Sequence, residues 1–339
     1  LNTTEPALPL AVSLGDPAGV GPELICEAWA RRDDPGLPTF FVTGGAGLLA
    51  AAARARGLTV PIRSIADPAE AAAVFPHALP VFGTDDASYH PGEPGPAGAK
   101  LALASLTRAT ELAIAGRAGG VVTGPIAKAL LTQVGFHHPG QTEFIAEACG
   151  IVPESAVMLL AGPQLKTVPI TVHCALAQVP GLLTIELIRS RAAITARGLQ
   201  RDFGITHPRL AICALNPHAG EDGRFGDEEI RIIAPAIAAL RAERIDATGP
   251  HPADGLFSAH NRAKYDVAIC MYHDQALVPL KALDFDEGVN MTLGLPIVRT
   301  SPDHGTAFAI AGQRLAHPGA TIAAIRMAGT AAAARRAGS

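Results

Sequence analysis

The sequence predicts an α/β protein with a largely parallel sheet core, and three observations carry the prediction. Short apolar runs of strand length alternate with longer runs of helical spacing along almost the whole chain. Most of the strand-like runs end in Gly, Pro, Asn or His, and open α/β sheets place their chemistry at the carboxyl ends of strands. At 339 residues the chain is long enough for about two domains. A chain of this size needs neither disulfides nor metal merely to fold.

Taken in order, Leu10 to Leu14 reads as the first strand, followed by Gly15-Asp-Pro-Ala-Gly-Val-Gly-Pro-Glu23 and a helix from Pro22 to Arg32. Proline suits a first helical turn, and the glycines allow a tight strand-to-helix turn. Their spacing is not GxGxxG, which argues against a standard Rossmann site. Thr39 to Thr43 is the next strand, before Gly44-Gly45 and an Ala-rich helix. Residues 91–98 form a Pro/Gly-rich loop, and Lys100 to Arg117 carries apolar residues at helical spacing. Gly119 to Thr123 is a buried strand; Ile126 to Val134 is a short helix, and a polar turn then leads into a helix through Ala148. Val168 to His173 is β-rich, Thr184 to Gly198 helical, and Leu210 to Leu215 another strand. Glu228 to Glu243 is a helix that Pro235 should kink, and Val267 to Met271 completes the set.

Composition narrows the function. The chain is 48% apolar and 17% charged with a net charge of −4 and no basic block, which excludes nucleic acid and anionic membrane as partners. Five cysteines with no CxxC spacing read as reduced, buried thiols and point to the cytoplasm. The N-terminal stretch lacks a positive region before Asp16, which argues against a signal peptide. Apolar runs are broken well before about 18 residues, so no membrane span is expected.

The densest polar stretch is Tyr272 to Gly312, with His273, Asp274, Lys281, Asn290 and Arg299 ahead of the loop Asp303-His304-Gly305-Thr306. His173, His218 and His273 each follow a strand-like run, directly or after Asn-Pro. If those strands are neighbours, three imidazoles converge on one divalent ion such as Zn²⁺ or Co²⁺ and leave positions open for substrate. Otherwise they are rim residues. Lys281, Asn290 and Arg299 suit an anionic small molecule, since Lys and Arg bind carboxylate and phosphate by charge-assisted hydrogen bonds.

These residues, with Val122-Thr-Gly-Pro-Ile-Ala-Lys128, Gly140-Gln-Thr-Glu-Phe144, Leu215-Asn-Pro-His-Ala-Gly-Glu221, Gly249-Pro-His-Pro-Ala-Asp254 and Arg299-Thr-Ser-Pro-Asp-His-Gly-Thr306, resemble the 4-hydroxythreonine-4-phosphate dehydrogenase family. The resemblance runs from Gly15 to about Gly312. It implies a two-lobed α/β/α, isocitrate/isopropylmalate-dehydrogenase-like fold with its active site in the interdomain cleft at a homodimer interface. On that pattern residues 1–128 and 291–339 make the first lobe and 129–290 the second. It also implies metal ligands at His173, His218 and His273, and substrate contacts at Gln141, Thr142, Lys281, Asn290 and Arg299. Asp303, His304, Gly305, Thr306 and Gly312 fall on the adenosine-side cofactor loop, for NAD or NADP. Where the family pattern has His beside the Thr, this sequence has Gln141, which hydrogen-bonds but carries no proton at neutral pH.

The implied reaction belongs to pyridoxal phosphate (vitamin B6) biosynthesis. A metal (Zn, Mg or Co) and NAD(P) support oxidation of a phosphorylated hydroxy acid, followed by decarboxylation, with Lys281, Asp254 and Asp274 as proton-handling candidates. The alternatives are a dehydrogenase of threonate or erythronate 4-phosphate, a dehydrogenase of a cyclic dihydrodiol carboxylate, and, in another class, a phosphate acyltransferase.

Overall fold

A computed structural model describes residues 7–338; the reading against a signal peptide falls in part on residues 1–6, outside the described residues. Twelve strands follow one another among the described residues. They are β1 Leu10–Ser13, β2 Phe40–Thr43, β3 Ile62–Ile65, β4 Leu79–Phe82, β5 Val121–Thr123, β6 Val157–Ala161, β7 Lys166–Pro169, β8 Arg209–Cys213, β9 Asp246–His251, β10 Val267–Cys270, β11 Val289–Leu293 and β12 Arg299–Pro302. None of the helices of the described residues is long and apolar enough to cross a membrane.

The chain forms two compact units, one running to Pro153 and resuming at Leu295–Ala337, the other Glu154–Gly294. Both junctions differ from the lobes expected at 128/129 and 290/291. The helices Lys128–Thr132 and Gln141–Ala148 pack on the long helix Pro96–Ile114 and so stay with the first unit. β11 pairs with β6, which keeps it in the second.

In the first unit the order is β3-β4-β2-β1-β5-β12, parallel throughout. Strands buried on both faces read as unbroken apolar runs, and β1 and β2 are buried at every residue. Trp29, the sole tryptophan, is buried in the helix Gly21–Ala30 and donates its indole N–H to the Phe75 carbonyl at 3.0 Å. Phe75 in turn meets Phe40 edge to face, ring centroids 5.0 Å apart.

In the second unit the order is β11-β6-β7-β10-β8-β9; the pairs β11–β6 and β6–β7 are antiparallel and the rest parallel. Leu160, Leu165, Ala211, Ala268, Ala276 and Leu280 are among the residues of its buried core. The expected helix from Glu228 to Glu243 departs from regular winding. Residues Glu229–Ile233 form a π turn, with the Ala234 N–H bonding the Glu229 carbonyl five residues back, before the α-helix Ala234–Ala242. Pro235 has no N–H for the carbonyl four residues back, and its ring crowds that carbonyl, so the helix widens ahead of it. A helix also spans His273–Asp284, inside the polar stretch to which the sequence assigns no element. It buries Ala276, Leu280 and Asp284 at spacing four and keeps Pro279 inside.

Phe40 is wholly buried against Phe75. Phe40→Ala should therefore destabilise the first unit by about 3–5 kcal/mol, read as an earlier urea midpoint of Trp29 fluorescence.

Candidate active site

In the first unit, strand order reverses at β1 and β5: the chain leaves β1 for β2 on one side and returns with β5 on the other. Such a switch point opens a crevice at the strands' carboxyl ends. Here the backbones of the two following loops touch. Asp16 N–H donates to the Pro125 carbonyl at 2.8 Å, and a Cβ on Gly15 (φ +69°) would stand 2.5 Å from that same oxygen. Asp16 is buried, and burial raises its carboxyl pKa, opposed by a bond from the Ala18 N–H.

Arg299, the first residue of β12, lies beside this crevice and is 4% exposed. Its Nη2 donates to Thr123 Oγ1 at 2.8 Å and reaches Gln141 Oε1 at 3.5 Å, while Nη1 reaches Thr142 Oγ1 at 3.4 Å. Gln141 and Thr142 open the helix Gln141–Ala148, and the Gln141 amide donates to the Gly124 carbonyl at 3.0 Å. Gln141 is thus a strap between the end of β5 and the guanidinium. Burial pulls the Arg299 pKa down to about 10, with Glu143 favouring the charged form, so the group stays cationic near neutrality.

The loop after β12 carries Asp303, His304, Gly305, Thr306 and Gly312, and the Thr306 carbonyl accepts from Val20 N–H at 3.0 Å, ahead of the helix Gly21–Ala30. His304 Nδ1 lies 2.9 Å from the Gly305 carbonyl, which can only accept, so Nδ1 carries a proton. Nε2 is buried without a hydrogen-bond partner and offers an acceptor in the neutral ring. Behind the loop, Arg56 donates to the Ala316 carbonyl at 2.6 Å and lies 3.6 Å from the wholly buried Glu23, whose carboxyl pKa is raised by burial.

The second unit holds the histidines. β7 ends at Pro169, but Ile170 and Thr171 N–H still bond the Cys270 and Met271 carbonyls, which carries the chain beside the end of β10 to two residues before His173. The His173 and His273 ring centroids are 5.8 Å apart. His273 begins the helix His273–Asp284, with Nδ1 2.7 Å from Asp274 Oδ1. Gln275 fastens this corner, accepting from Met271 N–H at 2.6 Å and donating to the Ala214 carbonyl at 2.8 Å. His218 follows β8 on a turn of five left-handed residues, and its ring lies 6.2 Å from that of Phe225. Among the described residues no group of three or more His, Cys, Asp or Glu is placed to hold a metal ion. The structure therefore brings two of the three histidines together. Lys281 is exposed in the last turn of its helix, Asn290 sits in β11 opposite Leu160, and Asp254 is exposed in the short helix Ala253–Leu256.

Sequence reasoning missed Thr123 as a partner of Arg299, although it stands inside the quoted block from Val122 to Lys128. It also missed Glu229, whose carboxylate holds the loop ahead of His218: Oε1 accepts from Leu215 and Asn216 N–H, both at 2.8 Å. Nothing local in the sequence marks that Glu.

A family model described as pyridoxal phosphate biosynthetic protein PdxA matches residues 37–328. The 4-hydroxythreonine-4-phosphate dehydrogenase of Erythrobacter litoralis is 65% identical over 331 residues, 98% of each chain. The crystal structure of the enzyme of that name from Klebsiella pneumoniae superposes with a TM-score of 0.85 at 37% identity, covering 97% of this chain and 99% of that one. A terephthalate 1,2-cis-dihydrodiol dehydrogenase from Burkholderia xenovorans superposes at 0.65 with 29% identity, covering 96% and 98%.

Arg299→Lys keeps a charge but loses the planar fork that Thr123, Thr142 and Gln141 hold. On the reading that Arg299 receives a phosphate group, inorganic phosphate binding, measured by titration calorimetry, should weaken by about 1.5–3 kcal/mol. In the unaltered chain it should hold from neutral pH and fall as pH rises through about 10, where Arg299 loses its proton.

Proposed function

The chain belongs to the family of the pyridoxal phosphate biosynthetic protein PdxA, and on that premise we propose that it is a 4-hydroxythreonine-4-phosphate dehydrogenase. It oxidises 4-phosphooxy-L-threonine with NAD or NADP to 2-amino-3-oxo-4-phosphooxybutanoate, which decarboxylates to 3-amino-2-oxopropyl phosphate. The buried Arg299 fork at a strand-end crevice supports this reading best, because it suits a phosphorylated acid. In this reading Gln141, Thr142 and Arg299 carry substrate-binding roles in the first unit, and Lys281 and Asn290 carry them in the second.

The donor chemistry fits a divalent ion at two histidines. Rings 5.8 Å apart can share an ion at roughly 2.0–2.1 Å from each nitrogen. The Asp274 carboxylate on His273 Nδ1 leaves Nε2 for the ion, the usual arrangement around a ligating imidazole. His218 is the third ligand in this reading. The loop fits a nucleotide through His304 Nε2, a buried acceptor for a ribose hydroxyl or adenine amine. When bound, the ion would lower the pKa of the substrate hydroxyl and the nicotinamide would take the hydride.

The chain's own residues do the rest. Asp274 is committed to orienting His273, which leaves Lys281 and Asp254 to move protons. The hydroxyl proton goes to base and the C–H pair leaves as hydride, giving a β-keto acid. Its C–C bond to the carboxylate then breaks, CO₂ departs, and the electron pair left on carbon becomes an enolate. Lys281 stabilises that enolate and returns a proton to its carbon. Exposed Leu176, Val278 and Phe285 on the second unit, each more than 60% accessible, support a homodimer. The alternative substrate, a cyclic dihydrodiol carboxylate, draws on Gln141 and on the Burkholderia scaffold.

NADH formation, assayed with hydroxythreonine phosphate, threonate phosphate and a dihydrodiol carboxylate, should be fastest with the first. A strong chelator should abolish it; full activity in chelator would sink the metal-assisted step. Lys281→Met should lower kcat by roughly 10²–10⁴ in steady-state assays of the same reaction.

A further inference from the structure

The turn that carries His218 is strained. His218, Ala219, Gly220, Glu221 and Asp222 run consecutively at φ of 52, 53, 80, 42 and 55°. Four of these five are not glycine, and such residues adopt left-handed backbone in series only when their surroundings over-determine it. Part of the hold is backbone, from Arg224 and Phe225 N–H to the Glu221 and Gly220 carbonyls at 3.2 Å, and the buried carboxylate of Glu229 supplies the hold ahead of the turn. Glu229 is 3% exposed; Oε1 accepts from the Leu215 and Asn216 N–H groups at 2.8 Å, and Oε2 from Asn216 Nδ2 at 3.0 Å. Glu228 takes a second bond from Asn216 Nδ2 at 2.7 Å. The fit against the turn is closed: a Cβ on Gly220 would lie 2.7 Å from Glu229 Oε2. Glu229 is also the first residue of the π turn, and π turns recur at functional sites. We propose that Glu229 is the positioning residue of His218: its carboxylate fixes residues 215–216, and through them the left-handed turn that presents the imidazole. The proposal rests on the metal reading of His218 for its functional consequence, but not for its geometry.

The test titrates the metal-free full-length chain with Co²⁺ alone, followed by visible absorption, beside hydrogen exchange of the amides from 215 to 222. In Glu229→Gln, exchange at Leu215 and Asn216 should speed up and Co²⁺ affinity should fall roughly tenfold, with far-UV circular dichroism unchanged. Wild-type exchange or, where His218→Ala weakens Co²⁺ binding, wild-type affinity overturns the proposal. If His218→Ala keeps full affinity, the metal reading of His218 is what fails, and the exchange result alone decides the role of Glu229. Should Glu229→Gln not fold, Gly220→Ala, which crowds Oε2, carries the same readouts and expectations.

Discussion

Parallel pairing is the constraint on which the site depends. A parallel neighbour is reached only by a crossover, so every strand of the first unit ends on the same side. Polar residues following β1, β5 and β12 are delivered to one edge without further design. A crevice opens only where the strand order reverses, and there Gly15 and Pro125 meet backbone to backbone while Arg299 sits alongside. The second unit applies the same rule to β7, β10 and β8, its neighbouring parallel strands, whose carboxyl ends lead to His173, His273 and His218.

Much of this was legible in the sequence. β1, β2, β5, β8 and β10 were visible as runs of Val, Ile, Leu, Phe and Ala, because strands buried on both faces need no alternation. The helix His273–Asp284 was hidden by Pro279 and by a buried stripe that includes the charged Asp284. Asp284 is tolerated there because its carboxylate accepts from the Gln164 backbone and side chain at 2.9 and 3.0 Å. Strand ends could be marked for the histidines, but not the left-handed path that carries His218 away from β8. Glu229 was invisible for a different reason: its partners lie 13 and 14 residues back, so in sequence it is an ordinary helical Glu.

The corner around Arg299 also explains how a glutamine serves where the family pattern has histidine. The Gln141 amide has two faces, a donor turned to the Gly124 carbonyl and an acceptor turned to the guanidinium. A histidine here would add a group that titrates near neutrality beside a buried cation. Glutamine removes that titration, so the corner keeps its charge across the neutral range.

The π turn at Glu229–Ile233 gives this segment a property that concerns length rather than composition. It holds one residue more per turn than regular winding would. Deleting a single residue just after Glu229 would let the helix close to α geometry and rotate Glu229 by about 100° about the axis, away from Leu215 and Asn216. Ile230 is 58% exposed and Arg231 holds only a surface ion pair with Asp227, of the kind worth little to stability. Among descendants of this chain, substitutions there would accumulate freely while insertions and deletions would be purged, so a gap-free but variable block is the signature this helix should leave.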